Sequence, residues 1–289
     1  MRGVALPWQK TGLILLLALW TVLLPYPCLA HQKHDVIRMG VFPYKSPKSI
    51  IEVFGPLAAR IEEKLGKKVQ LVSAPDAASF LAKGLAGEYD LAIPSTTVYY
   101  KLLPAGYNVI AKGIPSFRGG AIVRKDSEIR TVSQCRGKKV AAIGEHSYAG
   151  YMFFKDLLEE HRINAAKDLE IQFLGKVDTA IYGVLNKKYD VGLIRLGTLD
   201  TKDFAPIKDQ FRVIARSAEI PQFPFVVKNS MDQRTVAAIL KVLTALSPGK
   251  PEDLAIINSL QIDRIVGAND GDYVQFYKII KNSEYLKRH

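Results

Sequence analysis

Residues 88–93 read Glu-Tyr-Asp-Leu-Ala-Ile, and residues 188–193 read Lys-Tyr-Asp-Val-Gly-Leu. Each hexapeptide follows an amphipathic stretch and runs into apolar residues, the pattern of a tight turn feeding a short buried strand. Working outward from the first, residues 77–85 repeat apolar positions at helical spacing and residues 69–73 read as a strand. Before them, residues 50–65 form a helical pattern stopped by Gly66, and residues 36–42 (VIRMGVF) form another strand. Strand, helix, strand, helix, strand implies a parallel sheet with right-handed crossovers. Outward from the second hexapeptide the same order returns. Strands are expected at residues 121–124, 139–143, 170–174 and 189–194, with helices at 148–161 and 179–185. Gly66-Lys67-Lys68-Val69 is likewise echoed by Gly137-Lys138-Lys139-Val140.

The expectation is an α/β protein of two similar lobes, each a mostly parallel sheet flanked by helices. Strands at 212–215 and 225–228 bracket Pro221 and Pro224, which marks the chain's return to the first lobe. The lobes are therefore drawn as residues 31–115 with 220–289, and residues 116–219, with hinge segments near 113–120 and 215–224. Helices at 232–247, 251–259 and 273–280 complete the chain.

The N-terminus reads as an export signal. Arg2 and Lys10 are basic, residues 12–24 are apolar, Pro25 and Pro27 follow, and Cys28-Leu29-Ala30 offers small residues for cleavage. The apolar run is shorter than the roughly 20 residues of a membrane span. A lipid-modified Cys28 is disfavoured by the bulky Tyr26 and Pro27 before it. Removal of residues 1–30 as a signal peptide leaves Cys135 as the sole thiol, so no internal disulfide can form. It also removes two cations and no acids, lowering the formal charge from +12 to +10. The full chain is 48% hydrophobic, and what remains after removal can still bury a large core. The lysines are scattered in pairs at turns and no aromatic-interleaved basic stripe occurs, so nucleic acid is not the expected partner. A field drawing anions toward a cleft accounts for the charge.

Three segments leave the expected carboxyl ends of strands and open helices, where open α/β sheets bind ligands. They are residues 42–49 (FPYKSPKS), residues 94–100 (PSTTVYY) and residues 144–151 (GEHSYAGY). Helix starts carry free N–H groups and a positive dipole end, and the hydroxyls here add side-chain donors. Plain N-capping explains each serine equally well. Arg118, Lys176 and Arg195 lie near strand ends as possible counter-charges, although surface ion pairs are the commoner fate of such residues. His146 beside Ser147 does not make a hydrolase: the spacing is G-x-x-S-x-x-G, not G-x-S-x-G. No paired-histidine metal pattern, Rossmann glycine motif or Walker motif is present. Neither catalysis nor a cofactor or metal is expected.

These motifs, in this order, resemble the phosphate-, phosphite- and phosphonate-binding (PhnD-like) periplasmic proteins. The likeness runs from Gly40-Val41-Phe42-Pro43-Tyr44 through Leu65-Gly66-Lys67-Lys68-Val69, Ala74-Pro75-Asp76, the Tyr-Asp hexapeptides and the G-x-x-S-x-x-G-Y segment. It implies a two-lobed type II periplasmic-binding fold, capture of a small anionic ligand, an ABC permease in the inner membrane as partner, and a monomer in the periplasm. The family's S-T-S-G turn matches Ser147-Tyr148-Ala149-Gly150, where only the first hydroxyl is kept. Its contact after the first strand matches Tyr44 or Ser46, and its third-strand loop matches Ser95, Thr96 and Thr97 with Tyr99 nearby. Its G-H-x-x-[AN] stretch matches Gly175 to Thr179, with Lys176 in the histidine's place and Thr179 as a further candidate. An acidic residue of some aminophosphonate binders falls near Phe223, which argues against a ligand whose amine needs a carboxylate. Alternatives on the same fold are a sensory or partner-binding protein, or a binder of a sulfonate or a small heterocycle.

Overall fold

The computed structural model describes Gly3 and residues 36–281. The expected signal at residues 1–30, apart from Gly3, lies outside the described residues.

Local rules account for the first elements. Strand β1 (Val36–Val41) leads into helix α1 (Pro47–Leu65), where Ser46 accepts a hydrogen bond from the Ser49 amide and Pro47 takes a first-turn position. The helix stops at Gly66, whose φ of 63° is a left-handed conformation that glycine adopts without strain. Its Phe54, Leu57 and Ile61 side chains are fully buried. Next come β2 (Lys68–Val72), α2 (Ala77–Leu85), β3 (Leu91–Ile93), α3 (Thr96–Leu102) and β4 (Tyr107–Ile114). The chain then builds β5 (Gly119–Arg124), β6 (Lys139–Ala142), and a π-helical turn (Tyr148–Met152) continuing as α4 (Phe153–Glu160). It goes on through α5 (Ala165–Asp168), β7 (Glu170–Phe173), α6 (Val177–Leu185), β8 (Val191–Arg195) and β9 (Phe211–Arg216). The last elements are β10 (Pro224–Lys228), α7 (Gln233–Thr244), α8 (Leu254–Leu260), β11 (Arg264–Gly267) and α9 (Val274–Lys281).

Two sheets result. One has six strands in the order β11-β4-β10-β3-β1-β2, the other five in the order β7-β6-β8-β5-β9. Each contains a parallel trio, β2-β1-β3 and β7-β6-β8. The two Tyr-Asp hexapeptides do the same job in each trio. The Asp90 amide donates to the Arg38 carbonyl while its carboxylate accepts from the Arg38 amide at 2.8 Å. Asp190 makes the same pair of bonds to Lys139, its carboxylate again accepting at 2.8 Å. A one-residue side chain thus locks the start of one strand onto the start of its neighbour.

The sheets are mixed rather than mostly parallel. β10 is antiparallel to β3 and β4, β11 to β4, and β5 to β8 and β9. The added strands carry the chain between the sheets or close its end, without the crossover helix that parallel pairing requires. Strands β4 and β11 were not read from the sequence. Their pairing partners lie far away in the chain, and Lys112 and Gly113 blur the apolar alternation of β4.

The two crossing segments run side by side. The Phe117 amide donates to the Ile220 carbonyl at 2.9 Å and the Ile220 amide donates back at 2.8 Å. Both fall within the expected segments 113–120 and 215–224. The halves also share a core. Tyr148 of the second half meets Phe276 of α9 edge-on, with ring centroids 5.1 Å apart, within a buried cluster that includes Tyr99, Phe153 and Tyr273.

Candidate functional site

Two helix starts face each other where the halves meet. The first follows β3. Ser95 has extended backbone, and its hydroxyl accepts from the Val98 amide at 3.3 Å and shares a 3.2 Å hydrogen bond with Thr97. Ser95, Thr96 and Thr97 are all buried, at 9%, 3% and 5% exposure. Burial of three hydroxyls in succession is unusual for such polar residues. The second start follows β6. The Ser147 hydroxyl accepts from the Gly150 amide at 3.0 Å, a side-chain cap for the turn that becomes α4. Tyr148 and Ala149 occupy the first helical positions, so their N–H groups have no intrahelical acceptor. The positive end of the helix dipole adds to them.

The Thr97 hydroxyl donates to the His146 carbonyl at 3.0 Å, joining the two starts across the boundary. Gly119 at the head of β5 lets the Ser147 start pack closely on the sheet of its own half. A Cβ there would fall 2.7 Å from the Ala149 Cα and 2.8 Å from its carbonyl oxygen, contacts that backbone atoms cannot yield. Gly150 is glycine for packing reasons too: a Cβ would meet Ile143 at 2.6 Å and the Ser147 hydroxyl at 2.8 Å.

A second polar cluster sits by the crossing segments. Tyr44, in the loop after β1, shares a 2.7 Å hydrogen bond with Ser259 and sets its ring edge-on to Phe223 at 5.8 Å. Burial pushes its phenol up to about 12, against the opposing effects of the Ser259 hydrogen bond and the Arg195 charge. Arg195, the last residue of β8, donates to the Gln222 side-chain oxygen at 3.2 Å and to the Gln261 carbonyl at 2.8 Å. Its guanidinium lies 4.2 Å from the centre of the Phe117 ring.

The other residues singled out in the sequence are placed differently. Ser46 is exposed and caps α1. Tyr99 is fully buried, and its hydroxyl donates to Asp270 at 2.5 Å, so its polar atom serves the core of the first half. Tyr148 is a packing residue between the halves, and desolvation raises its phenol to about 12. Lys176 and Thr179 are exposed at the start of α6. Among the described residues no hydrogen bond or ion pair joins them to the two helix starts. Arg118 is exposed and faces Glu219 at 3.7 Å, a surface ion pair. Sequence reading passed over Phe117, Gln222, Ser259 and Gln261. The Pro-Gln-Phe-Pro run at residues 221–224 was the only local hint of them.

An open groove of about 550 Å³ between α1 and β2 is apolar apart from Ser73 and the acidic Glu62 and Glu63, the wrong chemistry for an anion. Among the described residues no group of three or more His, Cys, Asp or Glu side chains could hold a metal ion. No described helix is long and apolar enough to cross a membrane.

Residues 39–273 match the family model of the phosphonate ABC transporter periplasmic substrate-binding protein. The chain belongs to that family. Its relatives include the phosphate-import protein PhnD of Mycolicibacterium smegmatis, 22% identical over 70% of this chain and 69% of that protein. The phosphonates-binding periplasmic protein of Escherichia coli is 25% identical over 81% and 72% of the two chains. Among solved structures, PhnD1 of Prochlorococcus marinus in complex with methylphosphonate superimposes with a TM-score of 0.73 at 14% identity, over 85% of this chain and 97% of that one. The binding-protein component of an ABC phosphonate transporter from Pseudomonas aeruginosa gives 0.68 at 18% identity, over 83% and 84%. The family is one of substrate-binding components, whose work is capture. Both helix starts lie within the matched span, as do Tyr44 and Arg195.

Proposed function

We propose that this protein captures a phosphonate, phosphite or phosphate-like oxyanion outside the cytoplasm and delivers it to an ABC permease in the inner membrane. The two halves act as lobes, residues 31–115 with 220–289 closing on residues 116–219 about the paired crossing segments. The observation that carries this reading is the meeting of the two helix starts through Thr97 and His146. The anion is held by the Ser95, Thr96 and Ser147 hydroxyls and by the N–H groups of Tyr148 and Ala149. Such donors replace water around an oxyanion at low reorganisation cost. Closure dries the site and strengthens each bond. Tyr44, in the neighbouring cluster with Ser259 and Phe223, lies on the same boundary. Export requires the leader at residues 1–30, and mass spectrometry of the periplasmic product should find an N-terminus near His31.

A thermal-shift screen tests the ligand class. Methylphosphonate, phosphite or phosphate should raise the melting temperature in proportion to the logarithm of its concentration, because it binds only the native state. A shift with sulfonates or uncharged heterocycles, and none with these oxyanions, overturns the reading.

A further inference from the structure

Arg195 differs in its surroundings from the better-compensated arginines. Arg38, Arg60 and Arg136 each meet a carboxylate, from Asp90, Asp253 and Asp168 respectively. Arg195 meets none among the described residues. Its two hydrogen bonds go to neutral acceptors, Gln222 and the Gln261 carbonyl. A guanidinium carries five N–H donors, so three remain without a protein acceptor among the described residues. One of them, on Nε, is buried and unpartnered, and the side-chain oxygen of the adjoining Gln261 is buried and unpartnered as well. Desolvation lowers the Arg195 pKa to about 10, so the group stays charged at neutral pH in a place that disfavours charge.

A desolvated cation without a counter-ion is costly, and natural interiors pair such charges. Arg195 also spans the boundary: it stands on β8 of the second half and bonds Gln261, just past α8 of the first. Its charge is felt by Tyr44, in the loop that follows β1. β1 is hydrogen-bonded to β3, whose end leads to Ser95. Arg195 and the helix starts are therefore two separate polar clusters on one boundary, with Tyr44 beside Arg195. No hydrogen bond links them among the described residues.

We propose that Arg195 is a specificity-determining residue that receives a second acidic group of the ligand, so that the preferred substrates are phosphonates bearing a carboxylate or a second phosphonate. This rests on the proposed capture of an oxyanion at the helix starts. The planar fork takes a carboxylate through two parallel N–H bonds. Phe117 holds the plane in place, and Gln222 and Gln261 set its orientation. A ligand carrying an amine in that place meets a like charge instead, with no acidic residue at Phe223 to receive it.

Isothermal titration of the full mature chain with three probes tests this: methylphosphonate, phosphonoacetate and 2-aminoethylphosphonate. Phosphonoacetate should bind about tenfold to a hundredfold more tightly than methylphosphonate, the yield of charged hydrogen bonds in a partly desolvated site. 2-Aminoethylphosphonate should bind more weakly than methylphosphonate. In Arg195→Gln the ratio of phosphonoacetate to methylphosphonate affinity should fall to near one, and Arg195→Lys should restore only part of it, since a lysine cannot make the paired contact. Methylphosphonate binding with no gain for phosphonoacetate overturns the role of Arg195 and leaves oxyanion capture standing. Failure of all three probes overturns the capture itself. Equal weakening of all three in Arg195→Gln places Arg195 on the common oxyanion and overturns the second-group assignment. Should the variants not fold, the wild-type ranking of the three probes decides alone.

Discussion

The helix starts at Ser95 and Ser147 use the same local device and surround it differently. Both serines have extended backbone, follow a strand, and accept a hydrogen bond from the amide three residues on. At Ser95 the following residues are Thr96 and Thr97, whose hydroxyls are buried. At Ser147 they are Tyr148, Ala149 and Gly150, of which only Tyr148 carries a hydroxyl, on a ring that packs edge-on against Phe276. Beyond its capping serine, the first start therefore adds hydroxyls, whereas the second adds backbone N–H groups. The backbone start needs tight packing to hold its geometry, from Gly119 beneath Ala149 and from Tyr148 against α9. The hydroxyl start is set chiefly by its own side chains. Mutations should thus act on the two starts through different quantities, stability at one and affinity at the other.

The largest effect is expected at the backbone start. Tyr148→Ala removes a buried ring between the halves and should cost about 3–5 kcal/mol, the usual penalty for truncating a core aromatic. Calorimetry should show the melting temperature falling by roughly 10 °C. Tyr148→Phe should be close to wild type, since the ring makes the contact. An unchanged melting temperature in Tyr148→Ala would show that the shared core contributes little.

Gly119→Ala comes next. Its Cβ would press on the Ala149 backbone, and such overpacking costs about 1–3 kcal/mol. The displaced N–H groups should also weaken anion binding, so stability and affinity fall together. Retained affinity would mean that Ala149 is remote from the ligand.

At the hydroxyl start the order reverses. A Ser95→Ala and Thr96→Ala double variant should lose about tenfold or more in affinity, as bonds to a charged oxygen disappear. Its stability should fall by only about 1 kcal/mol, the value of the cap. Ser147→Ala should show a similar loss of stability and a smaller loss of affinity, because backbone donors remain. Equal affinity losses at the two starts would erase the distinction drawn between them.

The smallest effect belongs to a third serine cap. Ser46 is exposed and caps α1. Ser46→Ala should cost about 0.5–1 kcal/mol of stability in a urea titration and leave anion affinity unchanged. A loss of affinity there would move the site toward the first loop.

Most of the helices and the parallel strands were legible because their signals are local. Helix α2 was read at its observed bounds, since Asp76 caps it and its apolar spacing is clean. The Tyr-Asp hexapeptides announced a repeated turn whose bonding the structure makes explicit. Strand β4 was missed because it earns its place through β10 and β11, which follow more than 100 residues later. Ser95 and Ser147 were found for the same reason as the helices: a cap is a property of a few neighbouring residues. The burial of the Tyr99 and Tyr148 rings was not legible, because sequence proximity to a strand end does not say which way a ring turns.

The amino-acid order by itself determined the alternation of strands and helices, the repeated Tyr-Asp turn and the serines that begin the helices, since caps, apolar periods and turn residues act within a few positions. Only the tertiary structure decided which of those residues stand at the boundary and which are buried elsewhere. Arg195, Gln222, Gln261 and Tyr44 come from four distant parts of the chain. Their meeting depends on how two sheets are laid against each other, and no local pattern encodes a long-range juxtaposition of that kind.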